Sequence, residues 1–219
     1  MKLRFTEIDY SIKQYKRNEC ITFLKTHDVY GEFSNMCAGF LIKPPIGKIN
    51  DKYINCLTNG KVKTNEAFYA AQQYPNNPLY QVDIISRPSP MGAKMAAKKY
   101  RNDSRDDWNI INVQLLEWCA TTKLLQHWNT FGPLLDSTGN LPIVEETNKY
   151  DRFWAARRTK DDSDILEGAN VFGQILMNIR EFYRNHKNDK SFILEPMDIP
   201  NFKFLGEDII AVEYFLDAA

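Results

Sequence analysis

Apolar residues recur at intervals of three and four along several stretches, and these set the expected helices. Val171, Phe172, Ile175, Leu176, Ile179 and Phe182 fall on one helical face, with Asn170 standing where a cap is needed. Trp108, Ile111, Leu115, Trp118, Thr122 and Leu125 form the stripe of a longer helix that follows Ser104, with Asp107 as its capping partner. Thr64 is the expected cap of a helix of about ten residues ending near Tyr74, before Pro75 and Asn76-Asn77-Pro78 break it. Glu66, Tyr69 or Ala70, and Gln73 share a face of that helix. Ser89-Pro90 opens another, running through Met91, Met95 and Ala96 to about Lys99, with lysines that turn outward or toward a phosphate. Phe131 to Leu135 reads as a short helical piece closed near Gly139.

Extended structure is expected in shorter runs. Ile21, Phe23 and Leu24 suggest one strand and Leu141 to Val144 another. Between Phe40 and Thr64, the Asn59-Gly60 step signals a hairpin and hence a small antiparallel element. Beyond Arg184, the polar run Asn185 to Lys190 leads into an extended SFILEPM and then into Ile209, Ile210, Val212, Phe215 and Leu216, read as a strand and a terminal helix or strand. The expected fold is mainly α with a small antiparallel β element, of the α+β class. It is divided into a domain over 1–184, with its motifs in 30–184, and an extension over 185–219 packed on it.

Lys plus Arg and Asp plus Glu both number 28, so no net field draws in nucleic acid or a membrane surface. Cys20, Cys37, Cys56 and Cys119 lack ligand spacing and read as buried free thiols of a reducing compartment. His27, His127 and His186 are isolated, which argues against zinc. With neither a leader nor an apolar run of spanning length, the expected location is cytoplasmic, away from membranes.

Unusual residue types are densest from Thr138 to Arg184, which holds Glu145, Glu146, Asp151, Trp154, Arg157 and Arg158 between a strand and a buried helix. The run Tyr30, Gly31, Glu32, Phe33, Ser34, Asn35 is either a turn or a surface for a sugar or base, where Gly31 permits close approach and Ser34 and Asn35 offer short polar arms. Glu66, in a first turn, is explained by the helix dipole alone. Lys123, among uncharged neighbours, needs an ion-pair partner or a phosphate.

Read together, YGEFSN (30–35), TNEAFYAAQQY (64–74), SPMGAKMA (89–96), the Asp-Trp at 107–108 before a helix with Lys123, LLDSTG (134–139), IVEETNKYDRFW (143–154) and GANVFGQILMNIR (168–180) resemble the NADAR or YbiA-like family in order and spacing. The resemblance spans roughly Tyr30 to Arg184. It implies a YbiA-like helical domain that cleaves N-glycosidic bonds to ribose, with Glu66, Trp108 and Asp151 in the positions tied to activity and with neither metal nor cofactor. Three positions depart from the family pattern. Ala67 and Gln73 replace its histidine and lysine, and Trp154-Ala155, followed by Arg157 and Arg158, replaces its Trp-Gly. A glutamine forms no Schiff base and offers no charge to a phosphate.

The mechanism implied is a two-carboxylate one, by analogy with glycoside hydrolysis. Asp151 is set toward the ribose or water and Glu66 toward the leaving base, the reverse assignment staying open. Trp108 stacks on the base, with Trp154 or Phe33 as second wall. Ser34, Asn35 and Asn170 are candidates for ribose hydroxyls or ring edges, and Lys123, Arg157, Arg158 and Arg180 for a phosphate. The partner expected is a nucleotide-like or ADP-ribosylated small molecule, with nucleic acid only as the carrier of such a group. Two other classes remain open: a non-catalytic binder of NAD- or ADP-ribose-like ligands, and a protein whose extension, 185–219, engages a partner.

Overall fold

The computed structural model describes residues 7–150 and 152–215. Asp151 and Leu216 therefore lie outside the described residues. In chain order the regular elements begin with strands β1 (Lys13–Lys16) and β2 (Ile21–Phe23), followed by helices α1 (Asn65–Ala71), α2 (Pro78–Ile85), α3 (Pro90–Lys99), α4 (Trp108–Gln126) and α5 (Trp128–Asp136). Strands β3 (Ile143–Glu145), β4 (Arg157–Arg158) and β5 (Ile165–Gly168) then lead into α6 (Val171–His186), and the chain closes with β6 (Ser191–Leu194), β7 (Lys203–Phe204), β8 (Glu207–Asp208) and β9 (Val212–Phe215). The class is α+β, as expected.

The residues group into two compact units. One comprises Asn35–Gln126 and the chain from Asp189 onward; the other comprises the described residues up to Ser34 and His127–Asn188.

In the first unit the predicted caps form. The Thr64 hydroxyl accepts from the Ala67 N–H at the start of α1, and the Ser89 hydroxyl accepts from the Gly92 N–H at the start of α3. The segment expected only to break α1 does more: Asn77 caps α2 through its side chain and Pro78 occupies its first turn. Helix α4 starts later than expected. A 3-10 turn over Arg101–Asp103 intervenes, Ser104 ends that turn instead of capping α4, and the Asp107 carboxylate is held by Arg105 at 2.5 Å. Asn59 and Gly60, with φ of 51° and 73°, make the predicted two-residue turn between Thr58 and Lys61. Ile42 bridges Val62, but Asp51–Cys56 is a 3-10 helix, not a strand.

The end of the chain completes this unit. Strands β6 and β9 pair antiparallel with Ser191 opposite Phe215, so the last element among the described residues is a strand. The β7–β8 hairpin is read by a fully buried Gln81, whose Nε2 donates to Lys203 O at 3.2 Å and whose Oε1 accepts from the Leu205 N–H at 2.6 Å. Phe68 meets Phe204 edge to face at 5.2 Å and Trp118 meets Phe202 at 4.9 Å, so the core joins residues far apart in sequence.

In the second unit, β5 lies between β1 and β4, antiparallel to both. Strands β2 and β3 pair in parallel, Ile21 opposite Ile143. Val144, Ala156 and Leu166 form a small core under these strands, with Tyr15 and Cys20 against it. Helix α5 begins at Trp128, earlier than the apolar run suggested, and the Trp128 ring sits 4.7 Å from that of Tyr183 on α6.

Candidate functional site

Glu66 occupies the first turn of α1, where its own N–H donates to Asn35 O at 2.9 Å. The residue is 8% exposed, and a carboxylate so placed must find donors. The Asn35 amide supplies one, its Nδ2 donating to Glu66 Oε2 at 3.1 Å, while Asn35 Oδ1 accepts from Asn65 Nδ2 at 2.5 Å. On the other oxygen, Lys94 from α3 brings its Nζ to 3.7 Å from Oε1. Glu66 is therefore pinned by an amide at Oε2 and faced by an ammonium at Oε1.

One turn along α1, Tyr69 places its ring 5.2 Å from that of Trp108, the first residue of α4, which is half-buried. The glutamate and the aromatic pair thus share one face of α1, as the three-residue spacing requires. Burial, and after it the charge of Glu66, pushes the Tyr69 phenol well above its ordinary value, so it stays a hydroxyl donor. Gln73, half-buried, accepts the Arg105 N–H on its backbone carbonyl at 2.9 Å. Lys123 is 3% exposed, with its Nζ 4.3 Å from the centre of the Phe40 ring.

The second unit holds the remaining candidates. Tyr30 adopts a left-handed conformation at φ 65° and stacks on Phe33 at 5.5 Å. Phe33 is fully buried, edge-on to Phe23 and Phe131, so this ring serves the core and not a ligand wall. The close approach that Gly31 permits is to the chain itself, since a side chain there would run into the Thr26 carbonyl at 2.5 Å. Ser34 is buried.

Trp154 is half-buried and meets Phe153 edge to face at 5.0 Å; Phe153 in turn stacks on Tyr10 at 5.8 Å. Arg157 lies 4.7 Å over the Tyr150 ring. Arg158 donates to Glu146 Oε2 at 3.2 Å, and Arg17 donates to the other oxygen at 2.9 Å, so the buried Glu146 ties the turn that follows β1 to β4. Asn170 stands at the cap position of α6 but in a left-handed conformation and without capping; instead its side chain donates to Ile143 O and accepts from the Glu145 N–H, fastening α6 to β3. Arg180 spends Nη1 on Thr138 Oγ1 and Leu141 O, at 2.9 and 2.8 Å, which is a structural use.

Among the described residues, no three His, Cys, Asp or Glu side chains are placed to hold a metal ion, and no helix is long and apolar enough to cross a membrane.

The family model of the NADAR domain matches residues 22–184. The chain belongs to the NADAR family. Among its relatives, the N-glycosidase YbiA of Escherichia coli (strain K12) is 28% identical over 170 residues, which is 78% of this chain and 92% of that protein. The riboflavin biosynthesis protein VVA0006 of Vibrio vulnificus is 28% identical over 123 residues, 56% of this chain and 31% of that protein. The NMR structure of the E. coli protein YbiA superposes with a TM-score of 0.58 at 26% identity, covering 79% of this chain and 89% of the other. Within this NADAR chain, sequence reasoning named Glu66 and Asn35 separately and missed that one holds the other. It also left the lysines of α3 undifferentiated, because Lys94, Lys98 and Lys99 differ only in the face they occupy.

Proposed function

We propose that this chain hydrolyses the N-glycosidic bond between a base or amine and ribose. Its substrate in this reading is a ribosyl phosphate or an ADP-ribosyl conjugate such as ADP-ribosylated guanine, free or carried on nucleic acid. The observation that carries the reading is the carboxylate of Glu66, fixed by Asn35 and faced by Lys94, on the same helical face as the Tyr69–Trp108 pair. Family membership and the relatives named N-glycosidase YbiA support it.

In the reaction, water adds at the anomeric carbon. The C–N bond breaks with its electron pair going to nitrogen, and the base departs with a proton. Positive charge gathers on the sugar on the way. A carboxylate held in place at one oxygen, with the other facing only a distant ammonium, suits that charge, so we assign Glu66 to the ribose or the water. Asp151 then supplies the proton to the leaving base, the reverse of the arrangement set out first from sequence. Trp108 stacks on the base, with Trp154 as a further aromatic contact. Tyr30, Ser34, Asn35, Arg157 and Arg158 are retained as substrate contacts.

The test is release of free base from a panel of ribosylamine 5′-phosphates and ADP-ribosylated guanine. Wild type is expected to turn over repeatedly and Asp151→Ala to fall by orders of magnitude; equal behaviour of the two across the panel removes the assignment. Gln73, uncharged where the family pattern has lysine, favours one competing reading, a binder without turnover. Tight calorimetric binding with no product over hours decides for that reading.

A further inference from the structure

Lys94 sits in the second turn of α3 and differs from the other lysines of its helix. Lys98 and Lys99 are exposed, and Lys99 lies 4.8 Å over the Tyr100 ring beside it. Lys94 instead reaches Glu66 Oε1, at 3.7 Å, which is charge contact beyond hydrogen-bond length. The two partners differ in their access to water, the Lys94 side chain being 52% exposed and that of Glu66 10%. An ion pair this long and half solvated contributes little, so the ammonium leaves it cheaply. The phosphate candidate that the sequence offered in the same unit, Lys123, is enclosed with Phe40, and Gln73 brings no charge.

We propose that Lys94 determines specificity at this site by pairing with Glu66 while the site is empty and turning to the phosphate of an anionic ribosyl ligand when one arrives. The proposal rests on the N-glycosidase reading for the identity of the substrate, but its binding half does not depend on turnover. A phosphate accepts a charge-assisted hydrogen bond from an ammonium that the carboxylate at 3.7 Å does not. Withdrawal of the amine also leaves Glu66 Oε1 open to the developing charge on the sugar, so an anionic substrate prepares the carboxylate that acts on it.

The experiment compares ribose 5-phosphate with ribose by calorimetry on the full chain, using wild type, Lys94→Met and Lys94→Arg, with thermal melts to verify folding. Lys94→Met is expected to weaken ribose 5-phosphate by about tenfold or more, to leave ribose within about twofold, and Lys94→Arg to recover most of the loss. In base release from a ribosylamine 5′-phosphate, KM is expected to rise by a similar factor with kcat within about threefold. Equal affinity of wild type and Lys94→Met for ribose 5-phosphate overturns the proposal. So does an equal loss for both ligands, which marks a structural role, or no ribose 5-phosphate binding by wild type. Should wild type bind through Lys94 yet release no base, the hydrolase reading fails and this one stands; should it release base with Lys94→Met indifferent, only this one fails.

Discussion

Asn35 holds Glu66 from two sides, its backbone carbonyl accepting the glutamate N–H at 2.9 Å and its side-chain amide donating to Oε2 at 3.1 Å. One residue thereby sets both where the helix carrying the carboxylate begins and how the carboxylate is turned. Glu66→Gln keeps the shape and removes the charge, and is expected to lower kcat for base release by about 10²–10³ with little change in melting temperature. Asn35→Ala is expected to cost less in kcat, about tenfold, but to destabilise by about 1–3 kcal/mol, because the buried Asn65 amide loses its acceptor. Steady-state kinetics alongside melts separate the two effects.

Trp108, half-buried and tilted against Tyr69, is expected to act through stacking. Trp108→Ala should lose about 1–3 kcal/mol of base binding, read as a rise in KM or in the dissociation constant of a base-bearing ligand, and Trp108→Phe should recover part of it. An unchanged KM in both variants would remove Trp108 from the site.

Backbone and side chain approach closely where α6 crosses β3. A methyl group at Gly173 would collide with Ile143 O and the Asn170 side chain, the same pair that fastens the helix to the strand. Gly173→Ala is accordingly expected to destabilise by about 1–3 kcal/mol, despite the better helix propensity of alanine. Gly39→Ala, with open space around the added carbon, serves as the neutral control in chemical denaturation.

Stability should change at both ends of the pH scale. Burial, with the charge of Asp103 second, pushes the Tyr74 phenol from 10.0 up to about 12, and its hydroxyl donates to Ala97 O. A raised folded value means that this stabilisation is whole below 10.0 and is lost as pH climbs through about 12; Tyr74→Phe should flatten that alkaline fall. Asp136 behaves oppositely. Arg184, then Lys187, hold its carboxyl below 3.8, so its contribution is present above that value and disappears as pH drops beneath it. Asp136→Asn should flatten the acid side in denaturation midpoints measured against pH.

Local chemistry was legible in the sequence and long-range pairing was not. Thr64 and Ser89 cap as their residue types demand, and Asn59-Gly60 turns as its dipeptide demands, because each rule involves atoms within a few residues. Helix α2 went unseen because Asn77 and Pro78 do double duty, ending one helix and starting the next. Ser104 misled because the tight turn before it and the Arg105–Asp107 pair took over the start of α4. Asn170 has the residue type of a cap, yet its amide is used sideways, on a strand that no periodicity connects to it. At the candidate site, family motifs picked out Glu66 and Trp108 individually. The clasp between Asn35 and Glu66, and the approach of Lys94, depend on how helices pack, and nothing in their own stretches of sequence records it.

The indole N–H of Trp118, midway along α4, donates to Glu195 O at 2.9 Å, and Phe202 lies against the same ring. These partners are translated only after the whole of His127–Asn188 has been made. While the ribosome is still working through that intervening stretch, the indole has Phe68 to pack on but neither Glu195 nor Phe202. The unit that holds Glu66 is thus started before His127–Asn188 is made and closed only after it, an interval in which a chaperone has a partly uncovered aromatic surface to shield.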